Sequence, residues 1–303
     1  MKSGLSCIKE NVPLIDKNSF LIGGMAAYYC EPSGNTDIQA AVQWAGSEHV
    51  PLFILGRGTN LLISDRGWPG LVIHLSSAPD SPVTFSGKNI IMVPGGYPLN
   101  SLVKISVENG LAGMEELAGI PGTVGGAVVM NAGAFSQCIA DTLESVLCCS
   151  IDSGALCTYS AKELGLNYRI SRLKTSGEIV LSARFRFENG DPETLDMARK
   201  VILNRRKQKQ PLSYPNCGSV FKRPPENFAG TLIEKCGLKG LKSGAAAVSR
   251  KHANFIINTG GATAEDVRRL IRMIQERVYN CFSILLEPEV IFIGEFDEPL
   301  FPR

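Results

Sequence analysis

Between Gly119 and Gly133 the chain places five glycines in fifteen residues, reading Gly119-Ile120-Pro121-Gly122-Thr123-Val124-Gly125-Gly126-Ala127 and running on through Val128-Val129-Met130-Asn131-Ala132-Gly133. A glycine in regular structure costs about 0.5–1 kcal/mol relative to alanine, so this density needs a cause. Two causes fit: close approach of the backbone to a flat or phosphorylated ligand, or a tight crossing of two buried backbones. A second stretch, Leu55-Gly56-Arg57-Gly58-Thr59-Asn60-Leu61-Leu62, leaves an apolar run, turns on two glycines and presents two polar side chains. Consecutive amides converge in such a nest and suit a phosphate, with Thr59 and Asn60 adding hydrogen bonds. It is not the dinucleotide fingerprint of parallel α/β folds, because Leu61 stands where a third glycine is required and no helix is expected after it. Taken alone, a turn of this kind reads more often as a simple loop.

A chain of 303 residues accommodates one large domain or two to three smaller ones. With 31 Lys and Arg against 29 Asp and Glu, the balance calls for neither nucleic acid nor membrane as a partner. Residues 1–10 lack a signal-peptide core and no segment approaches a membrane span, so a cytoplasmic location is expected. The nine cysteines form no C-x-x-C pair, which favours free thiols over disulfides or a metal site.

Periodicity predicts a helix capped by Thr36 and running toward His49, strands at 51–55, 61–63 and 71–75, and a hairpin joining 83–85 to 90–93. A helix over 99–108 closing on Asn109-Gly110, strands at 143–150, 155–159 and 179–188, and a long helix over 192–210 follow. Beyond it lie a helix ending at Gly237, a strand over 253–258, a helix capped by Thr263 and a strand pair around Pro288. The class is α+β, and the turn-rich stretch after Pro211 sets the preferred domain boundary near 205–215. The run Arg205-Arg206-Lys207-Gln208-Lys209 admits three readings: a solvated helix end, a nucleic-acid patch, or a seat for phosphates. No aromatic platform accompanies it, which disfavours single-stranded nucleic acid.

The two loops together resemble the FAD-binding domain of the vanillyl-alcohol-oxidase type. More narrowly, the chain resembles the UDP-N-acetylenolpyruvoylglucosamine reductase family. The match continues in order through Ile22-Gly23-Gly24-Met25-Ala26, Gly110-Leu111-Ala112-Gly113-Met114-Glu115, Asn167-Tyr168-Arg169-Ile170-Ser171, Gly218-Ser219-Val220-Phe221-Lys222, Leu232-Ile233-Glu234, His252-Ala253-Asn254-Phe255 and Leu286-Glu287-Pro288-Glu289-Val290. The resemblance implies a two-lobed FAD-binding domain over 1–204, its lobes divided near 76, and a C-terminal α+β substrate domain over 205–303. It implies FAD and NADPH as cofactors, a UDP-N-acetylglucosamine enolpyruvate substrate, a monomer, and a role in cell-wall precursor synthesis.

The same resemblance assigns residues. Gly56, Arg57, Gly58, Thr59, Asn60, Leu61, Pro121, Gly122, Thr123, Gly125, Gly126, Val129, Asn131, Gly133 and Ile179 would hold FAD. Arg169 would bind the carboxylate of the enolpyruvyl group, Ser219 would donate a proton to carbon, and Glu289 would act as the catalytic glutamate. Tyr168, Arg206, Lys209 and Lys222 would bind substrate. Read without the resemblance, Arg169 is a surface ion pair, Ser219 a turn residue and Glu289 a satisfied carboxylate. Departures from the family pattern are Thr59 for serine, Arg223 for asparagine, Ala247 for glutamine and Ile291 for arginine. The short stretch between Arg169 and Ile179 matches the subclass lacking a substrate-capping loop. A flavin oxidase and a catalytically silent flavin-binding module are the alternatives.

Overall fold

The computed structural model describes residues 7–77 and 82–297. The chain is α+β and divides into two compact units. Unit 1 takes in Tyr29–Arg57 and Leu71–Arg206 with the N-terminal stretch up to Lys9. Unit 2 takes in Glu10–Tyr28, Gly58–Gly70 and the chain from Lys207 onward. Among the described residues no helix is long and apolar enough to cross a membrane.

Unit 1 is built on a five-stranded antiparallel sheet in the order Leu156–Ser160, Leu143–Ser150, Glu178–Arg186, Ile90–Pro94, Thr84–Phe85. Strict alternation would send Val180 and Ala183 to opposite faces. A register shift opposite Leu147 and Cys148 inserts Leu181 as an extra residue, and both Val180 and Ala183 then enter the core with Phe185. The helix Leu99–Glu108 buries Leu99, Leu102, Val103 and Val107, and Gly110 at φ +66° ends it. The helix Asn35–Ser47 buries Ile38, Ala41, Val42 and Ala45, as the spacing predicts, but its N-cap is Gly34 rather than Thr36. There the Ser33 amide is held by Asp37 Oδ2 at 2.8 Å, so a first-turn carboxylate takes up the preceding turn.

Among the elements of unit 1 absent from the sequence expectations is a short helix, Val124–Val129, inside the second glycine loop. Two of its six residues are glycine, which propensity disfavours. Burial of Val124, Ala127 and Val128, spaced three and four residues apart, together with the Thr123 cap, outweighs that cost.

Unit 2 packs the helices Ala229–Lys235 and Ala264–Phe282 with a three-stranded antiparallel sheet of Lys242–Ser243, Ala246–Val248 and Ile256–Asn258. The long helix carries a reciprocal Thr263/Asp266 capping box, and the Asp65 carboxylate accepts the Ala264 amide at 2.9 Å. Its buried stripe is Val267, Leu270, Ile271, Ile274 and Val278. The expected strand pair around Pro288 takes a different form: Pro288 makes only an isolated bridge with Phe221, and the strand begins at Ile291. Proline has no N–H to give a ladder, so regular pairing starts beyond it. That strand, Ile291–Ile293, runs parallel to Leu61–Ile63.

Candidate active site

On unit 1 the two glycine loops meet. A Cβ built on Gly56 would lie 2.6 Å from Thr123 Oγ1, so any side chain at 56 would drive the loops apart. Thr123 is buried and caps the short helix, its Oγ1 accepting the Gly126 amide at 3.2 Å. Gly125 gives its N–H to the Gly95 carbonyl at 2.7 Å, and a Cβ there would stand 3.0 Å from that oxygen. The glycine at 125 is therefore demanded by a backbone crossing, with its amide committed inside the protein. The Gly122 carbonyl accepts the Leu99 amide at 3.0 Å. Exposed beside the Gly56–Thr123 contact are Arg57, Pro121 and Gly126. A cation next to backbone without side chains fits an anionic pyrophosphate, and this is the fit of unit 1 to FAD. Ile179 lies 1% exposed in its strand, paired with Cys149.

The second loop also moors the segment that carries Arg169. The Val129 carbonyl accepts Ser171 Oγ at 2.6 Å, the Asn131 amide donates to Asn167 O at 3.0 Å, and the Gly133 carbonyl accepts Arg169 Nη2 at 3.3 Å. Three successive contacts thus moor 167–171 to 129–133. Arg169 sits at φ +56°, a left-handed conformation that costs a non-glycine residue about 1 kcal/mol and persists because its surroundings fix it. Its guanidinium lies 5.0 Å from the centroid of the exposed Tyr168 ring.

Arg206 is half-buried, and its Nε has no hydrogen-bond partner among the described residues. Burial lowers its pKa, yet a guanidinium stays charged at neutral pH. It packs on Gly119, where a Cβ would come within 2.7 Å of Arg206 Cδ, and lies 6.0 Å from the Phe135 ring that Arg205 covers at 4.5 Å.

On unit 2, Gly58 at φ +59° passes so near Asn18 that a Cβ would fall 2.6 Å from Asn18 Cα. Thr59 follows half-buried, and Leu61 opens the strand paired with Ile291. Asn60 is a strut: its Nδ2 donates to the Glu289 carbonyl at 3.1 Å and its own carbonyl accepts the Ile291 amide at 3.0 Å. Ser219 follows Gly218, which stands at φ +80° with its amide held by Asn216 Oδ1 at 2.9 Å. The next carbonyl, that of Val220, accepts the Glu289 amide at 2.7 Å. Ser219 and Glu289, remote in sequence, therefore lie on adjacent extended segments, both half-buried. Glu289 is outside any regular strand. Beneath them Cys217 is 2% exposed; burial pushes its thiol far up and the Glu289 carboxylate pushes it further, leaving it neutral and inert.

Lys222 pairs with Glu287 and is fixed by its own amide on the Glu287 carbonyl at 2.9 Å. Lys209 is exposed at the end of its helix. Of the departures, Arg223 stacks 4.1 Å from the Phe228 ring, Ala247 is buried opposite Ile257, and Ile291 is paired with Leu61. Asn254 belongs to no predicted role, yet its side chain binds into the Ser219 segment; a polar residue inside the otherwise apolar run Ala253–Ile257 is its signal in the sequence.

Comparison with known proteins agrees along the whole chain. Residues 26–159 match the family model of an FAD binding domain, and residues 210–293 match that of the UDP-N-acetylenolpyruvoylglucosamine reductase C-terminal domain. The UDP-N-acetylenolpyruvoylglucosamine reductase of Synechococcus sp. (strain JA-3-3Ab) is 42% identical over 97% of this chain and 93% of its own length. That of Caldicellulosiruptor bescii is 43% identical over 99% of this chain and 94% of its own. The crystal structure of UDP-N-acetylenolpyruvylglucosamine reductase from Thermus caldophilus superposes with a TM-score of 0.81 at 35% identity, covering 95% of this chain and all of that one.

Proposed function

The chain belongs to the family of UDP-N-acetylenolpyruvoylglucosamine reductases, and from that membership we propose how its residues divide the work. It is an FAD-dependent oxidoreductase whose substrate is the enolpyruvyl ether of UDP-N-acetylglucosamine, and the product is UDP-N-acetylmuramate. NADPH is the reductant in this reading. Bound FAD supplies the relay that carries a hydride from NADPH to the methylene carbon of the substrate.

The protein's task lies at the neighbouring carbon, which gains electron density that spreads into the carboxylate. Arg169 meets that carboxylate with a planar, permanently charged fork, preorganised by its moorings to Gly133 and Tyr168. Ser219 delivers a proton to the carbon. A serine hydroxyl is a weak acid, so it needs a neighbour that sets its hydrogen bonding and restores its proton, and Glu289 on the adjoining segment takes that part. Gly56, Arg57, Thr123 and Gly126 would hold the pyrophosphate of FAD, and Gly58 to Leu61 and Val129 to Gly133 are the further residues assigned to that cofactor. Arg206, Lys209, Lys222 and Tyr168 bind the UDP-sugar. We place the enzyme in the cytoplasm as a monomer, where both nucleotide reactants are dissolved.

The observation that carries this reading is the 2.7 Å bond from the Glu289 amide to the Val220 carbonyl, which lays the segment bearing Glu289 alongside the segment bearing Ser219. The test is steady-state oxidation of NADPH by the purified protein. NADPH consumption should require the enolpyruvyl UDP-sugar, and mass spectrometry should show a product that has gained two hydrogen atoms. Consumption at the same rate with oxygen alone would instead select an oxidase.

A further inference from the structure

Asn254 is 7% exposed and touches the Ser219 segment three times. Its carbonyl accepts the Val220 amide at 2.9 Å, its Oδ1 accepts the Phe221 amide at 3.0 Å, and its Nδ2 donates to the Phe221 carbonyl at 2.9 Å. The side-chain amide thus replaces a neighbouring strand, satisfying both backbone groups of one buried residue. The opposite edge of the same segment is taken by 287–289: the Lys222 amide donates to Glu287 O at 2.9 Å and the Glu289 amide donates to Val220 O at 2.7 Å. Residues 219–222 therefore run between Asn254 on one side and the segment bearing Glu289 on the other.

Asn254 is itself held firmly. Its amide donates to His252 Nδ1 at 3.3 Å, and Ser249 Oγ accepts the amides of Lys251 and His252 at 3.1 and 3.3 Å. The Ser249 amide bonds to Phe255 O at 2.8 Å, closing the turn. A rigid turn that presents a donor and an acceptor in the spacing of a peptide group sets where Phe221 stands along the segment, and so where Ser219 stands two residues earlier.

We propose that Asn254 is a positioning residue for proton transfer, fixing the Ser219 hydroxyl relative to the Glu289 carboxylate without touching substrate or flavin. The inference rests on the roles given above to Ser219 and Glu289. It sets Asn254 apart from a residue that only stabilises the fold, because reduction of the flavin by NADPH needs no proton on carbon and is indifferent to Ser219.

The experiment uses full-length, FAD-loaded protein as wild type, Asn254→Asp and Asn254→Ala. Asn254→Asp keeps the shape and the acceptor for the Phe221 amide but sets a carboxylate oxygen against the Phe221 carbonyl; Asn254→Ala removes both bonds. Anaerobic stopped-flow follows bleaching by NADPH and then recolouring by the enolpyruvyl UDP-sugar, in H2O and in D2O. In both variants bleaching should stay within about twofold of wild type, while recolouring slows on the order of 10²-fold, the scale of a small misplacement of a catalytic group. The solvent isotope effect on recolouring should rise, since protonation becomes slower relative to hydride transfer. Recolouring at the wild-type rate, parallel slowing of both phases, an unchanged isotope effect, or loss of flavin binding in both variants would each overturn the proposal. A wild-type protein that never recolours would refute the assigned reaction instead, so the two failures are told apart.

Discussion

Gly56→Ala is the sharpest test of how the two loops are joined. The new Cβ would stand 2.6 Å from Thr123 Oγ1, where ordinary contact begins near 3.4 Å, so the loops must part by about 0.8 Å or Thr123 must rotate. Rotation breaks the cap on the Gly126 amide, a loss of about 1 kcal/mol. Either response displaces the backbone proposed to hold the FAD pyrophosphate, and we expect the FAD dissociation constant to rise about tenfold, equivalent to about 1.4 kcal/mol. Thr123→Ala removes the offending oxygen and leaves the Thr123 Cβ at 3.6 Å, an ordinary contact. In that background Gly56→Ala should weaken FAD binding by no more than about twofold, giving a coupling of about 1 kcal/mol between the two positions. Fluorescence titration of FAD into the four apoproteins measures the cycle. Strict additivity, or no effect of Gly56→Ala on its own, would refute the reasoning.

Ser219→Ala should leave bleaching by NADPH within about twofold and slow recolouring by 10²- to 10⁴-fold, roughly the worth of a positioned acid, as read by stopped-flow absorbance. Arg169→Lys keeps the charge but loses the fork, and should lower kcat/KM for the UDP-sugar by about tenfold or more with bleaching unchanged. Stability should depend on His252, whose pKa is lowered chiefly by burial and then by Lys239. Below its ordinary value of 6.5 the unfolded chain takes up a proton that the folded form resists, so the melting temperature should fall as pH drops from 7 toward 5.5. His252→Gln should flatten that fall.

Much of this molecule is visible in its sequence because the dominant signals are local. The buried stripe Val267, Leu270, Ile271, Ile274, Val278 and the Thr263 cap fall where periodicity places them. The glycine loops stand out because their composition is costly unless the backbone must pass close to something, and at Gly125 that something is Gly95 rather than a ligand. What stayed hidden depends on contacts between distant segments. The helix Val124–Val129 forms against propensity because the core of unit 1 receives Val124 and Val128. The bulge at Leu181 exists only against Leu147 and Cys148. The joining of Asn60, Val220, Asn254 and Glu289 by backbone and amide hydrogen bonds has no periodic trace at all. The family resemblance supplied Ser219, Glu289 and Arg169 as candidates; the structure supplies the bonds that join the segment of Ser219 to the segment of Glu289 and moor Arg169 to the second loop.

The central claim is that reduced flavin on this protein is discharged by the enolpyruvyl UDP-sugar. Anaerobic titration of the NADPH-bleached, nucleotide-free enzyme with that sugar measures it directly. Full return of the yellow absorbance is expected at one equivalent of sugar per flavin, with the saturated lactyl ether as product. A flavin that stays bleached in excess sugar yet recolours on admitting oxygen would contradict it.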